Sequence, residues 1–287
     1  MDRLTSVMHI KSSLTVSGLC AAVLLGVPPS PAAEIEPLKA LLIAGGCCHD
    51  YAKQKDILKR GLEERANLKV DIIYVDDSST SPKLPILGNP DYAQGYDVVI
   101  HDECGSDINQ EPTVEAVLKP HRNGIPGVNL HCAVHSYRIG DPAKPATNGT
   151  PHALWFEYLG VQSSGHGAQL PIAISFVDHD SPITKDLADW TTIQEELYNN
   201  VKVFPTAHPL ARGKQVFKGR DGTDHASDYV AVWTNLYQGK TRVFTTTIGH
   251  NNQTVADPRY LDLVARGLLW ACDKLGEDGK PLPGYGK

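Results

Sequence analysis

From Leu38 to Ala44 the residues are apolar except for Lys39, and the run stops at Gly45-Gly46. A strand without polar alternation is one buried on both faces, the habit of parallel sheets covered by helices. Residues 53–66 follow, with Ile57, Leu58 and Leu62 at the spacing of a helix that buries one side. Val70 to Val75 and Tyr96 to His101 predict two more strands, separated by a loop rich in Pro, Ser, Asp and Gly over 76–95. A short helix over 111–119 and a short strand over Val128 to Leu130 complete a β-α-β-β-α-β order. That order predicts an open, mostly parallel α/β sheet with right-handed crossovers.

The second half is patterned less regularly. Leu170 to Val177, Tyr229 to Trp233 and the β-branched run Thr241 to Ile248 read as strands, with a loop over 139–151. From about Pro258 to Lys274 the positions Leu261, Val264, Leu268 and Leu269 share one helical face. Residues 276–287 are rich in Gly and Pro and predict a loose tail. Neither an internal repeat nor a linker interrupts the chain, which predicts one domain over 34–275.

The N-terminus stands apart from this pattern. Arg3 and Lys11 precede an apolar stretch from Leu14 to Val27, broken by Pro28, Pro29 and Pro31 and followed by Ala32-Ala33. This is the layout of an export signal over residues 1–33, cleaved before Glu34, and is short for a membrane span. Cys20 lacks the small-residue surroundings of a lipidated cysteine. No later segment has membrane-spanning length, so the expected product is exported, periplasmic or secreted.

Composition narrows the chemistry. Of 287 residues, 41% are hydrophobic and 21% charged, enough for a packed core. The formal net charge of -6 gives nucleic acid no basic patch to bind. Cys47, Cys48, Cys104, Cys132 and Cys272 are odd in number and sparse, which argues against a disulfide scaffold. Cys47 and Cys48, as neighbours, are not expected to bridge each other.

Twelve His is a high count. Ligands of an open parallel sheet bind at the carboxyl ends of its strands. Four candidate strands place a histidine there: His49 after Gly45-Gly46, His101 before Asp102-Glu103, His131 before Cys132, and His250 after Gly249. One such histidine is most simply a cap; four at one edge point to metal-ligand or acid/base chemistry.

These segments, together with Glu195-Glu196-Leu197-Tyr198 and the terminal helix, resemble the ThuA (trehalose utilisation) family of the class I glutamine amidotransferase-like superfamily. The resemblance spans roughly residues 38–274 and implies a flavodoxin-like three-layer sandwich with a mostly parallel central sheet. It implies a divalent metal, with zinc the candidate, held by His49, His131, His166 and His250. Catalytic roles fall to His131, His250 and Glu196, and substrate contacts to Asp50, Trp155 and Tyr198. Asp50 is equally suited to orienting His49 or capping a helix. Tyr198 suits the core as well as a sugar hydroxyl, while Trp155 follows a long loop and is placed to stack on a sugar. His131 occupies the strand-to-helix elbow where the superfamily carries its nucleophilic cysteine, with Cys132 one residue later.

Three functions remain open. The family's association with trehalose-like disaccharides and sugars oxidised at C3 implies an enzyme acting on glycosides or keto-glycosides by metal-assisted acid/base chemistry. A sugar-binding module without catalysis and an amidase-like hydrolase using Cys132 with His250 are the alternatives. A small carbohydrate is the expected partner, and the oligomeric state is open. N-terminal sequencing of exported protein should begin at Glu34.

Overall fold

A computed structural model describes residues 35–287, of which Ile35–Lys287 form one compact unit. The expected export signal over 1–33 lies outside the described residues. Among the described residues no helix is long and apolar enough to cross a membrane.

The first half folds as its pattern predicts. Strands β1 (Leu38–Gly46), β2 (Leu68–Val75), β3 (Val98–Cys104) and β4 (Gly127–Leu130) alternate with helices α1 (Tyr51–Glu63) and α2 (Glu111–Arg122). Next along the chain come α3 (Leu154–Leu159), β5 (Val161–Gln162), β6 (Leu170–Phe176), β7 (Trp190–Glu195), β8 (Lys202–Val203), β9 (Ala207–Lys218), β10 (Asp224–Tyr237) and β11 (Thr241–Thr246). Helices α4 (Asn252–Val255) and α5 (Pro258–Ala271) close the list.

Five strands pair in parallel in the order β2-β1-β3-β4-β11, the flavodoxin-like order. All of β1 except Lys39 is buried. Its Ala40 and Leu42 pack with Leu58 and Leu62 of α1 and Leu261 and Leu268 of α5. Leu41 and Ile43 face the other way, against Val114 and Leu118 of α2 and Trp155 and Leu159 of α3. Helices on both faces leave no polar side for β1, which explains its apolar run from Ala40 to Ala44.

The sheet does not stop at β11. Strands β10, β9, β6 and β7 continue it, all antiparallel, to nine strands. β5 and β8 form a separate short ribbon. The sequence pattern shows only part of this extension. β10 begins at Asp224 rather than Tyr229, because its first residues are polar and mostly exposed and carry no apolar signal. β9 contains Pro209 and Gly213, both poor strand formers, and is missed altogether. Pro209 pairs with Trp233 beside a register shift, where the ladder is already irregular.

The tail is not loose. Leu275 bridges Pro281, Gly286 bridges Ala66, and the Asn67 amide donates to the Tyr285 carbonyl at 2.9 Å. Tyr285 packs on the core that lies under α1 and α5. Gly and Pro here make tight turns of a docked segment.

At the carboxyl end of β1 the chain passes very close to β3. Gly46 has φ 104°, and a Cβ there would run into the Cys104 carbonyl oxygen. Both the left-handed backbone and the missing side chain are required. Gly46→Ala should therefore lower unfolding stability by about 2 kcal/mol or more, read as a lower urea midpoint at unchanged m-value.

Candidate functional site

The elements above bring three of the four strand-end histidines together. His49 sits in the loop between β1 and α1. His131 is the first residue after β4 and opens a short 3-10 turn over His131–His135, with φ 42°. His250 follows β11 and Gly249, itself at φ 130°. Glu196 comes from the antiparallel half, immediately after β7. The ring centroids of His49 lie 4.6 Å from His131 and 4.8 Å from His250, and those of His131 and His250 are 5.6 Å apart.

Four donor atoms face inward. His49 Nε2 is 3.1 Å from His250 Nδ1, His131 Nε2 is 3.4 Å from Glu196 Oε2, and His250 Nδ1 is 3.3 Å from Glu196 Oε1. One such atom from each of the four residues lies within 4.8 Å of all the others. Ligands ~2.0–2.1 Å from a tetrahedral ion stand about 3.4 Å from one another, close to the 3.1, 3.4 and 3.3 Å separations here, so the set could hold a zinc-sized cation once its wider spacings draw in.

The ring orientations are held from behind. His131 Nδ1 donates to the Thr247 carbonyl at 2.7 Å, leaving Nε2 as the free nitrogen. His49 Nδ1 meets the Tyr51 hydroxyl at 3.0 Å, leaving its Nε2 toward the cluster. The backbone that carries His250 is gripped by Glu195, a fully buried carboxylate. It accepts from the amides of Gly249, His250 and Asn251 at 3.3, 2.9 and 3.1 Å. The Gln54 side-chain amide donates to the His250 carbonyl at 3.0 Å from the other side.

The electrostatics follow from crowding. Burial, with the His131 and His250 rings beside it, lowers His49 to about 2. Burial on its own raises the Glu196 carboxyl, but hydrogen bonds from His131 and His250 outweigh it and hold the group well below the ordinary carboxylate range. The same bond to Glu196 raises His250 above an ordinary imidazole. Glu196 is thus held as a carboxylate and His49 as a neutral ring, the forms a metal requires of its ligands, whereas His250 gives up a proton when it becomes one.

Other expected site residues fall elsewhere. His166 Nε2 reaches Glu196 Oε2 at 3.5 Å but stands outside the four-atom set, at the partly exposed mouth. His101 is fully buried within β3, bonded to Glu103 at 2.7 Å and to His121 at 3.1 Å, and does not join the strand-end cluster. Trp155 cannot stack on a sugar. It is buried in the core against Tyr137 and Tyr158, and its Nε1 donates to the Ala133 carbonyl at 3.0 Å.

Tyr198 is also fully buried, stacked on His135 at 3.9 Å, with only its hydroxyl near His131 Nε2 at 3.4 Å. Asp50 neither touches His49 nor caps α1 with its side chain; it binds Lys53 at 2.8 Å and Asn252 at 2.9 Å. Gln169 was not singled out by sequence. Its amide bridges Glu196 Oε1 and His250 Nε2 at 3.1 and 2.9 Å. A lone glutamine before a strand carries no signal of its own.

The cysteines correct two expectations. Cys47 and Cys48 are bonded to each other, and Cys132 is bonded to Cys104; only Cys272 is a free thiol among the described residues. Cys132 is neither a packing thiol nor, in this state, a nucleophile.

The family profile described as ThuA, trehalose utilisation, matches residues 39–271. The chain belongs to the ThuA family. Among solved structures this ThuA-family chain is similar to a ThuA-like protein of Parabacteroides merdae, at 23% identity and TM-score 0.57, covering 83% of this chain and 90% of that one. It is similar also to a ThuA-like protein of Bacteroides uniformis, at 16% identity and TM-score 0.56, covering 85% and 94%. At these identities the likeness concerns the fold. No curated protein matches the sequence.

Glu195 is the support most easily tested. Glu195→Ala strips three buried amides of their acceptor, and should cost about 2–4 kcal/mol in denaturant unfolding. The holding of His250 should loosen with it, which NMR of the imidazole resonances would show.

Proposed function

We propose that this ThuA-family protein is an exported, metal-dependent enzyme acting on glycosides or disaccharides whose sugar carries a ketone. The observation that carries this is the facing of three imidazole nitrogens and one carboxylate oxygen, with the His131 and His49 rings fixed by second hydrogen bonds. A nitrogen-rich set with one carboxylate suits zinc or a similar divalent ion, which would polarise the ketone and acidify the neighbouring C–H.

The chain's own residues supply the rest. His49, His131, His250 and Glu196 are the holding groups. His166 is the proton carrier. Its Nδ1 is occupied by the Gly167 carbonyl at 2.9 Å, so Nε2 is the nitrogen left to exchange a proton at the mouth. In a 3-keto-glycoside it takes the C2 proton; the electrons of that bond form the C1–C2 double bond as the C1 oxygen departs. Glu196, 3.5 Å from the same Nε2, stabilises the imidazolium once that nitrogen has taken the proton. Gln169, bonded to Glu196 and His250, and Asp50, in the cleft beside His49, are the polar groups we assign to the sugar, in place of the buried Trp155.

Two outcomes are expected from a 3-keto-glycoside assay. Turnover should vanish on chelation and return with a divalent metal; no turnover under either condition counts against an enzyme and favours a binding module. His131→Ala should lose both metal and activity. His166→Ala should keep its metal, by elemental analysis, yet lose about a hundredfold or more in kcat, the usual worth of a positioned acid/base group.

A further inference from the structure

Four sulfurs meet beside the histidine cluster, and the fold explains why. Gly46 of β1 is in register with Cys104 of β3, which sets Cys47 next to Cys104. Cys104 and Cys132 each lie three residues beyond the paired His101 and Asn129. The result is two adjacent disulfides, Cys47–Cys48 and Cys104–Cys132. Between them, Cys47 Sγ lies 3.6 Å from Cys104 Sγ.

The two pairs differ in access. Cys48 is exposed. Cys104 and Cys132 are 2% and 6% exposed, beneath Tyr51 and Ala44 in one apolar cluster. A protein-sized reductant can therefore touch the first pair and not the second. Exchange between disulfides needs a thiolate in contact with a disulfide sulfur, and the Cys47–Cys104 approach supplies it.

We propose that Cys47 and Cys48 form a thiol–disulfide exchange centre that accepts electrons from a protein dithiol and passes them to the buried Cys104–Cys132 pair. The reductant's thiolate attacks Cys48 Sγ and expels the Cys47 thiolate; its second thiol then releases Cys48 and leaves the reductant as a disulfide. The Cys47 thiolate attacks Cys104 Sγ, breaking the Cys104–Cys132 bond and expelling the Cys132 thiolate. The Cys48 thiolate attacks Cys47 Sγ, restoring Cys47–Cys48 and expelling the Cys104 thiolate. Two electrons and two protons have moved from the dithiol to Cys104 and Cys132. Those two sulfurs lie within 4.8 Å of a His49 ring nitrogen, so the transfer places thiols beside the histidine cluster.

The test uses the full chain without oxygen, reduced thioredoxin as the dithiol, alkylation to stop the reaction, and mass spectrometry of the Cys104 and Cys132 peptides. Cys47→Ser should slow reduction of the Cys104–Cys132 pair by at least about tenfold relative to the unaltered chain. A smaller change means the reductant reaches the buried pair directly and overturns the proposal. Cys48→Ser, at an exposed position that leaves the core intact, guards against a misfolded variant. It removes the resolving sulfur and should accumulate a Cys47–Cys104 cross-link with Cys132 alkylated; an intact Cys104–Cys132 pair beside a free Cys47 overturns the proposal equally.

Discussion

The grip of the Glu195 carboxylate on three consecutive amides is the contact on which the site depends. Residues 249–251 leave the last parallel strand in an irregular loop whose N–H groups have no strand to pair with. Glu195 ends an antiparallel strand at the far edge of the sheet, and its two oxygens accept from Gly249, His250 and Asn251. Buried amides without acceptors are costly, and a charged acceptor is about twice as strong as a neutral one. The bond therefore ties the antiparallel extension to the parallel core where His250 is displayed. It also sets Glu196, the next residue, against the histidines.

The antiparallel half is thus more than an elaboration of the edge. A flavodoxin-like sheet by itself places His49, His131 and His250 at the carboxyl ends of β1, β4 and β11, along one edge and all nitrogen donors. The carboxylate arrives only because the chain leaving β7 brings Glu196 against His131 and His250. Without it the crowded imidazoles would face one another with no opposite charge. With it, His250 and Glu196 each hold the other in its charged form.

Two of the six non-glycine residues at positive φ among the described residues lie at the same edge. His131 at φ 42° and Cys48 at φ 82° are in a region that side chains other than glycine's seldom adopt. Each is held by neighbours: His131 by its bond to Thr247 and by Glu196, Cys48 by its bond to Cys47. Strain of this kind collects where a chain must present particular atoms rather than where it merely packs. Beneath the edge, a second polar network of His101, Glu103, His121 and Tyr137 is fully buried and internally bonded. It shows how a strand-end histidine can be absorbed into the core.

The sequence by itself determined the parallel core, because a strand covered on both faces shows no polar alternation and β1 shows none beyond Lys39. It also determined three of the strand-end histidines, since the carboxyl ends of such strands share one edge. Glu196 and His166 could be named only through their likeness to a family's segments. The antiparallel extension was largely hidden, because β9 and the start of β10 are polar, exposed and interrupted by Pro and Gly. The tertiary structure alone decided which residues touch. His101 and Trp155 are as polar or as aromatic in sequence as any ligand, yet the side of the strand or helix they occupy turns them into the core. Gln169 and Thr247 reach the cluster, and Cys47 and Cys132 reach Cys104, only when distant loops meet. Contacts across a hundred residues leave no periodicity in the chain, because periodicity records which face is buried and not what lies against it.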